Sequence, residues 1–159
     1  MLSEPPYRDH DGEIHYKGAG DKDGWLEINV DDFDLQLSSS ADRTALTKSG
    51  SILRKRKVEV TTLDSIFKNG TPRLGPILLK IDTEGNEVSA LEGADLLLQS
   101  TEFVIAEVSI ARRFEDGYKF EELINLMSKN GFTVFSFLHI EHEENEIRPR
   151  FADIVFGRK

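Results

Sequence analysis

The segment Leu78-Leu79-Lys80-Ile81-Asp82-Thr83-Glu84-Gly85-Asn86-Glu87 places Asp82, Glu84 and Glu87 directly after an apolar run, around a glycine. A carboxylate at such a junction can act as a general base or orient a substrate hydroxyl. Asp82 is the leading candidate because it follows the apolar run immediately. Glu84 comes next, since Gly85 lets the backbone turn close to a ligand. The same three acids could hold Mg2+ or Ca2+, which take oxygen ligands. A plainer reading competes, most strongly for Glu87. Acids in the first turn of a helix stabilise the positive end of its dipole by ~0.3–1 kcal/mol each. Glu107 ends a second apolar run, Phe103 to Val108, and could reach the same pocket or serve only as a structural hydrogen-bond acceptor. Lys80, inside the first run, must find a carboxylate or bury only its stem, and a structural salt bridge is expected. His139 and His142 lie beside Glu141 and Glu143. Together they suit a solvated, acid-rich hairpin tip better than a metal site, and no metal is assigned.

These side chains need elements to position them. Glu13 to Lys17 and Trp25 to Val30 each suit a short strand, with Gly18 to Gly24 as the turn between them; Asp-Gly at its end is a strong hairpin signal. Asp31 to Gly50 is polar and Ser-rich, so it is expected to be a long loop. Arg54-Lys55-Arg56-Lys57 is expected to be a solvated loop before a strand from Lys57 to Thr61, which alternates around Val58 and Val60. Thr62 is placed to cap a helix from Leu63 to Lys68, stopped by Asn69-Gly70. Ile77 to Asp82 is nearly all apolar, as a central parallel strand covered on both faces would be. Asn86 to Gln99 suits one helical stretch broken near Gly93. Phe103 to Val108 is a second buried strand. Tyr118 to Lys129 is an amphipathic helix with its stop at Asn130-Gly131. Phe132 to Ile140 and Phe151 to Phe156 are strands joined by too few residues for a crossover, so they pair antiparallel. Trp25, Phe132, Phe135 and Phe137 are core aromatics by default. The order is α/β, and in such folds ligands bind outside the carboxyl ends of the strands. That is where Asp82, Glu84 and Glu107 fall.

The bulk composition limits the possible functions. The chain has 159 residues, 38% of them hydrophobic and 31% charged, which is globular composition for one domain or part of one. A net charge of −9 disfavours binding to a nucleic-acid backbone. The absence of cysteine removes disulfides, thiolate catalysis and Cys-ligated metals, and weakly favours a reducing, cytoplasmic setting. No apolar run approaches the ~20 residues of a membrane span, and residues 1–12 read as a loose polar segment with no signal-peptide pattern.

Four words in order carry a resemblance. They are Val58-Glu59-Val60-Thr61-Thr62-Leu63-Asp64-Ser65-Ile66, Leu79-Lys80-Ile81-Asp82-Thr83-Glu84-Gly85-Asn86-Glu87, Leu91-Glu92-Gly93-Ala94 and Ile105-Ala106-Glu107-Val108. In order and spacing they resemble the FkbM family of S-adenosylmethionine-dependent methyltransferases, with its V-x-T-L-D-S, K-I-D-x-E-G-x-E and L-x-G-A segments and a following strand ending in E-V. The resemblance is densest from Val58 to Val108 and implies a Rossmann-like class I methyltransferase sheet with a C-terminal antiparallel hairpin, over residues 13–159. It implies O-methylation of a hydroxyl on a small molecule or glycan, with S-adenosylmethionine as cofactor. Asp82 would orient or deprotonate the acceptor, and Glu84 and Glu107 would shape the site.

The chain also departs from the family. The family's glycine-rich D-x-G-A-N-x-G word, which receives the cofactor after the first strand, has no match here. Gly18-Ala19-Gly20 is the only glycine-rich candidate, and it lacks both a long apolar strand before it and a helix after it. Ile14 to Gly24 aligns better with the family's third strand, so the first strands would be absent and the chain truncated. No cofactor-binding residue can be named on that reading. A missing sheet edge would expose an unpaired strand, so a homo-oligomer through that edge is expected. Two alternatives stand beside the methyltransferase: a non-catalytic remnant acting as a binding or scaffold module, and a metal-dependent hydrolase using Asp82, Glu84 and Glu87.

Overall fold

The structure is a computed structural model that describes residues 12–31, 53–69, 75–111, 113–114, 117–142 and 146–159. The expectations for residues 1–11, for the Ser-rich segment after Asp31 and for Gly70 lie outside the described residues. Among the described residues the architecture is mixed α/β with two sheets and four helices.

The first sheet holds β1 (Gly18–Ala19), β2 (Gly24–Asp31) and β3 (Leu53–Thr61), in the order β1-β3-β2. Three sequence expectations change here. Glu13 to Lys17 form no strand. β1 and β2 do not pair as a hairpin; both flank β3, β1 in parallel and β2 antiparallel from Gly24↔Val60 to Asp31↔Leu53. The basic run Arg54 to Lys57 is not a loop but lies inside β3, its exposed side chains on the ladder with β2, where Lys55 meets Glu27 at 2.8 Å. The long β2–β3 ladder satisfies far more backbone groups than a short β1–β2 hairpin could, so it prevails over the local Asp-Gly turn signal.

Asp23 closes the end of this sheet instead. Its carboxylate accepts from the Thr61 hydroxyl at 2.8 Å and the Thr62 N–H at 3.2 Å. The Thr61 bond and then the Thr62 bond hold the Asp23 carboxyl below its ordinary value of 3.8. A depressed carboxyl adds stability that is complete above the unfolded value and is lost as pH falls through the folded one. Denaturant titrations of wild type and Asp23→Ala should therefore differ at neutral pH, with the gap closing as pH falls below 3.8. A gap that persists unchanged in strong acid would refute this role.

α1 (Leu63–Asn69) follows β3 directly. Thr62 caps it as expected, its hydroxyl accepting from the Ser65 N–H at 3.0 Å. Next come β4 (Ile77–Ile81), α2 (Glu87–Glu92), α3 (Asp95–Gln99) and β5 (Thr101–Ser109). α2 and α3 are the expected helical stretch, broken at Gly93-Ala94. Ala94 cannot cap α3, so Asp64 of α1 does it from outside, accepting from the Leu96 and Leu97 N–H groups at 2.9 Å. α4 (Phe120–Lys129) begins two residues later than expected, with Lys119 extended and its N–H given to the Glu122 carboxylate. Gly131, at φ +82°, stops it. β6 (Phe132–His142) and β7 (Pro149–Arg158) complete the second sheet, whose order is β4-β5-β7-β6, with β4 parallel to β5 and the rest antiparallel.

One face of this sheet carries the core. Val104, Ala106 and Val108 of β5 alternate into it with Ala152, Ile154 and Phe156 of β7, against Leu91, Leu98, Leu123 and Met127 of the helices. Each large apolar side chain buried this way contributes roughly 1.5–3 kcal/mol. The expectation of a central, doubly covered β4 is wrong. β4 is an edge strand among the described residues, and Leu78 on its outer face is 61% exposed. Phe132 is buried, but Trp25, Phe135 and Phe137 are exposed, against the core assignment. Phe103 and Phe135 instead pair edge-on on the open face, with ring centres 5.6 Å apart.

Candidate functional site

β4 ends at Ile81, so Asp82 is the first residue beyond its carboxyl end. The chain then turns sharply. Glu84 has φ +52°, the only positive value among described non-glycine residues, and Gly85 has φ +103°. A left-handed glutamate costs on the order of 1–2 kcal/mol, and such a conformation persists only where neighbours impose it. A Cβ at Gly85 would lie 2.9 Å from the buried Phe114 ring, so any side chain there would have to displace it.

Glu87 imposes the turn from below. Its side chain is 1% exposed and accepts from the Thr83 N–H at 2.9 Å, the Thr83 hydroxyl at 3.1 Å and the Gly85 N–H at 3.1 Å. It is thus neither a solvated helix-dipole acid nor a ligand pointing into the site. The cation trio Asp82, Glu84 and Glu87 is not assembled, because the Glu87 carboxylate is used by the turn's own donors. Tyr118 packs beside it. Burial, and then the Glu87 charge, push the Tyr118 phenol well above its ordinary value, so it stays protonated and cannot serve as a base.

Asp82, Glu84 and Glu107 do come together, with carboxylate oxygens within 4.8 Å of one another. Arg113 holds two of them. Its guanidinium donates to Glu84 at 3.0 Å and, closely, to Glu107, while its faces meet the rings of Phe151 at 4.4 Å and Phe114 at 5.2 Å. Asp82 pairs instead with Lys80 at 2.7 Å, the salt bridge expected for that lysine, and both side chains are well exposed. The Lys80 ammonium is held above its ordinary value chiefly by this hydrogen bond. An exposed pair of this kind is worth only ~0–1 kcal/mol and exchanges partners readily. Of the three carboxylates, Asp82 is therefore the one best able to turn to a substrate hydroxyl.

The polar row continues along the sheet, with Asp153 of β7 opposite Glu107 and His139 of β6 opposite Asp153. His139 is exposed and pairs with Glu141 at 3.0 Å, as a solvated hairpin side chain would. The sequence reading overlooked Arg113, Phe114 and Phe151. Arg113 and Phe114 lie in the connection after β5, which ends at Ser109, and their residue types and spacing alone do not mark them as site residues.

Beside this cluster a crevice of about 460 Å³ separates the first sheet from the turn after β4, with Val58 and Val60 on one wall and Thr83 and Asn86 on the other. Gly18 and Ala19 also line it, and the Asn86 amide donates to the Ala19 carbonyl at 2.8 Å. The volume is of ligand size.

The strand ends of this α/β fold thus carry three convergent carboxylates. Residues 8–134 match the methyltransferase FkbM domain, and the chain belongs to that family. No curated protein and no solved structure gives a significant match. The family's activity is methyl transfer, and S-adenosylmethionine is its usual cofactor. Among the described residues that line this crevice there is no carboxylate to hold that cofactor's ribose hydroxyls. Nor is Gly20 a cofactor glycine: a Cβ there would stand 2.6 Å from Val60, and its N–H bonds the Thr61 carbonyl, so it is used in packing.

Proposed function

We propose that this chain O-methylates a hydroxyl of a small molecule or glycan, and that the described residues supply the acceptor side of the reaction. The observation that supports this is the convergence of Asp82, Glu84 and Glu107 at the carboxyl ends of β4 and β5 in an FkbM-family chain. S-adenosylmethionine would provide the methyl group. Asp82 would release Lys80, accept a hydrogen bond from the acceptor hydroxyl and take its proton as the oxygen bonds to the methyl carbon and the sulfonium S–CH3 bond breaks, leaving S-adenosylhomocysteine. Glu84 and Glu107, fixed by Arg113, would shape the pocket wall. Phe151 and the row through Asp153 and His139 offer the aromatic and polar contacts that suit a polyhydroxyl acceptor.

The second sheet fits the later half of a doubly wound, Rossmann-like sheet. In the 3-2-1-4-5-6 order of such folds, strand four pairs with strand one. Among the described residues β4 stands at the edge, with Leu78 and Phe135 bare on the face that first-half helices would cover. The remaining cofactor contacts would then come from outside the described residues.

The incomplete cofactor side favours a second reading, a non-catalytic module that keeps the fold alone. Calorimetric titration of the whole chain with S-adenosylhomocysteine separates the two. The methyltransferase reading expects saturable heat and a thermal shift. A folded chain that gives neither at millimolar ligand supports the module instead.

A further inference from the structure

We propose that Arg113 is the resident cation of the acidic cluster, a positioning residue that stands where a divalent ion would otherwise be needed and leaves Asp82 as the exchangeable carboxylate. Three carboxylates with oxygens within 4.8 Å repel one another unless a positive group lies among them. Arg113 is built into that place. Its side chain is 8% exposed, and its flat guanidinium forks between Glu84, from the turn after β4, and Glu107, from β5. Phe114 and Phe151 cover its faces, and this stacking suits a weakly hydrated guanidinium better than an ammonium. One side chain thereby joins the turn after β4, the end of β5, the stretch after β5 and β7. It also offsets the left-handed strain at Glu84 by giving that carboxylate a buried partner.

The three acids are not equivalent. The Glu84 and Glu107 side chains are 27% and 14% exposed and bound to a buried cation, whereas Asp82 is 41% exposed and bound to a lysine that is itself 60% exposed. Like charge is thus neutralised where the wall must be rigid, and left on a labile partner where an acceptor hydroxyl would arrive. The role for Asp82 rests on the proposed function; the role of Arg113 as resident cation does not.

Thermal unfolding of the full chain, with and without millimolar Ca2+, Mg2+ or Mn2+, tests this without cofactor or turnover. Wild type should be indifferent to the ions. Arg113→Gln should melt about 10 °C lower, as expected when a buried pair is broken, and a divalent ion should recover part of the loss. Arg113→Lys should lose less than Arg113→Gln. Adding Glu84→Gln and Glu107→Gln to Arg113→Gln should restore most of the stability and abolish the ion response. A wild type that is stabilised by divalent ions overturns the proposal. So does a folded Arg113→Gln variant blind to them, or a triple variant as unstable as Arg113→Gln alone. Should Arg113→Gln not fold, the Glu84→Gln, Glu107→Gln pair decides: a lowered melting temperature supports the proposal and an unchanged one overturns it. Failure here would leave the methyltransferase reading standing, and failure of the S-adenosylhomocysteine titration would leave Arg113's role standing.

Discussion

Replacing Glu87 with alanine lowers the stability of this chain by about 4 kcal/mol, because two backbone N–H groups and a hydroxyl lose their acceptor at once and each orphaned buried donor costs ~1–3 kcal/mol. The donors are the Thr83 N–H, the Gly85 N–H and the Thr83 hydroxyl, and the carboxylate that serves them is almost fully enclosed. Glu87→Gln keeps the shape and one acceptor oxygen but loses the charge-assisted bonds, so it should lose roughly half as much. Denaturant unfolding measures both. A loss below about 1 kcal/mol for Glu87→Ala would show that this carboxylate only decorates the helix dipole, whose contribution lies in that range. The turn it braces carries Glu84 and Gly85, so the same variants should also loosen the acidic cluster.

The second large effect is at Gly93. Its φ of −84° is ordinary for any residue, and alanine is the better helix former by ~0.8–1 kcal/mol. Propensity alone predicts that Gly93→Ala stabilises. The contact predicts the opposite, because a Cβ there would sit 2.0 Å from the Gly20 carbonyl oxygen. That oxygen belongs to backbone and cannot rotate away. The Gly93 carbonyl also accepts from the Asp64 N–H at 2.9 Å, which fixes the α2–α3 junction against α1. Gly93→Ala must therefore separate the first sheet from the helix layer, at a cost of about 3 kcal/mol, or about 10 °C in melting temperature. Gly20→Ala meets only a Val60 side-chain methyl at 2.6 Å, which can shift, and should lose less. A Gly93→Ala variant as stable as wild type would show that this seam is not closely packed.

Both residues belong to words that were legible in the sequence, but their roles were not. Spacing placed Glu87 and Gly93 at a helix start and a helix break. It could not show that one folds back under its own turn or that the other faces Gly20 from across the fold. The strand ends were readable because an apolar run that stops at an acid leaves few alternatives, and so Asp82, Glu84 and Glu107 were singled out. Arg113 was not, because a charged residue in a strand-to-helix connection is usually solvated, and only the packing of Phe114 against Gly85 and of Phe151 beneath the guanidinium buries it. The alternation of β3 was visible from Lys57, but the charged half of that strand was hidden, since what fixes it is its long pairing with β2, where Glu27 meets Lys55. The aromatics misled most. Burial of Trp25, Phe135 and Phe137 was inferred from residue type alone, and type does not say which face of a sheet has a second layer.

The most direct test is methyl transfer itself. The chain is incubated with radiolabelled S-adenosylmethionine and a panel of polyhydroxyl acceptors, and Asp82→Asn is compared with wild type in parallel. The account predicts label on an acceptor hydroxyl with wild type, and a rate lower by roughly 10²–10⁴-fold with Asp82→Asn, the usual contribution of a general base, in a protein that melts where wild type does. An Asp82→Asn variant that transfers label at the wild-type rate, or a folded wild type that transfers none to any acceptor, would contradict it.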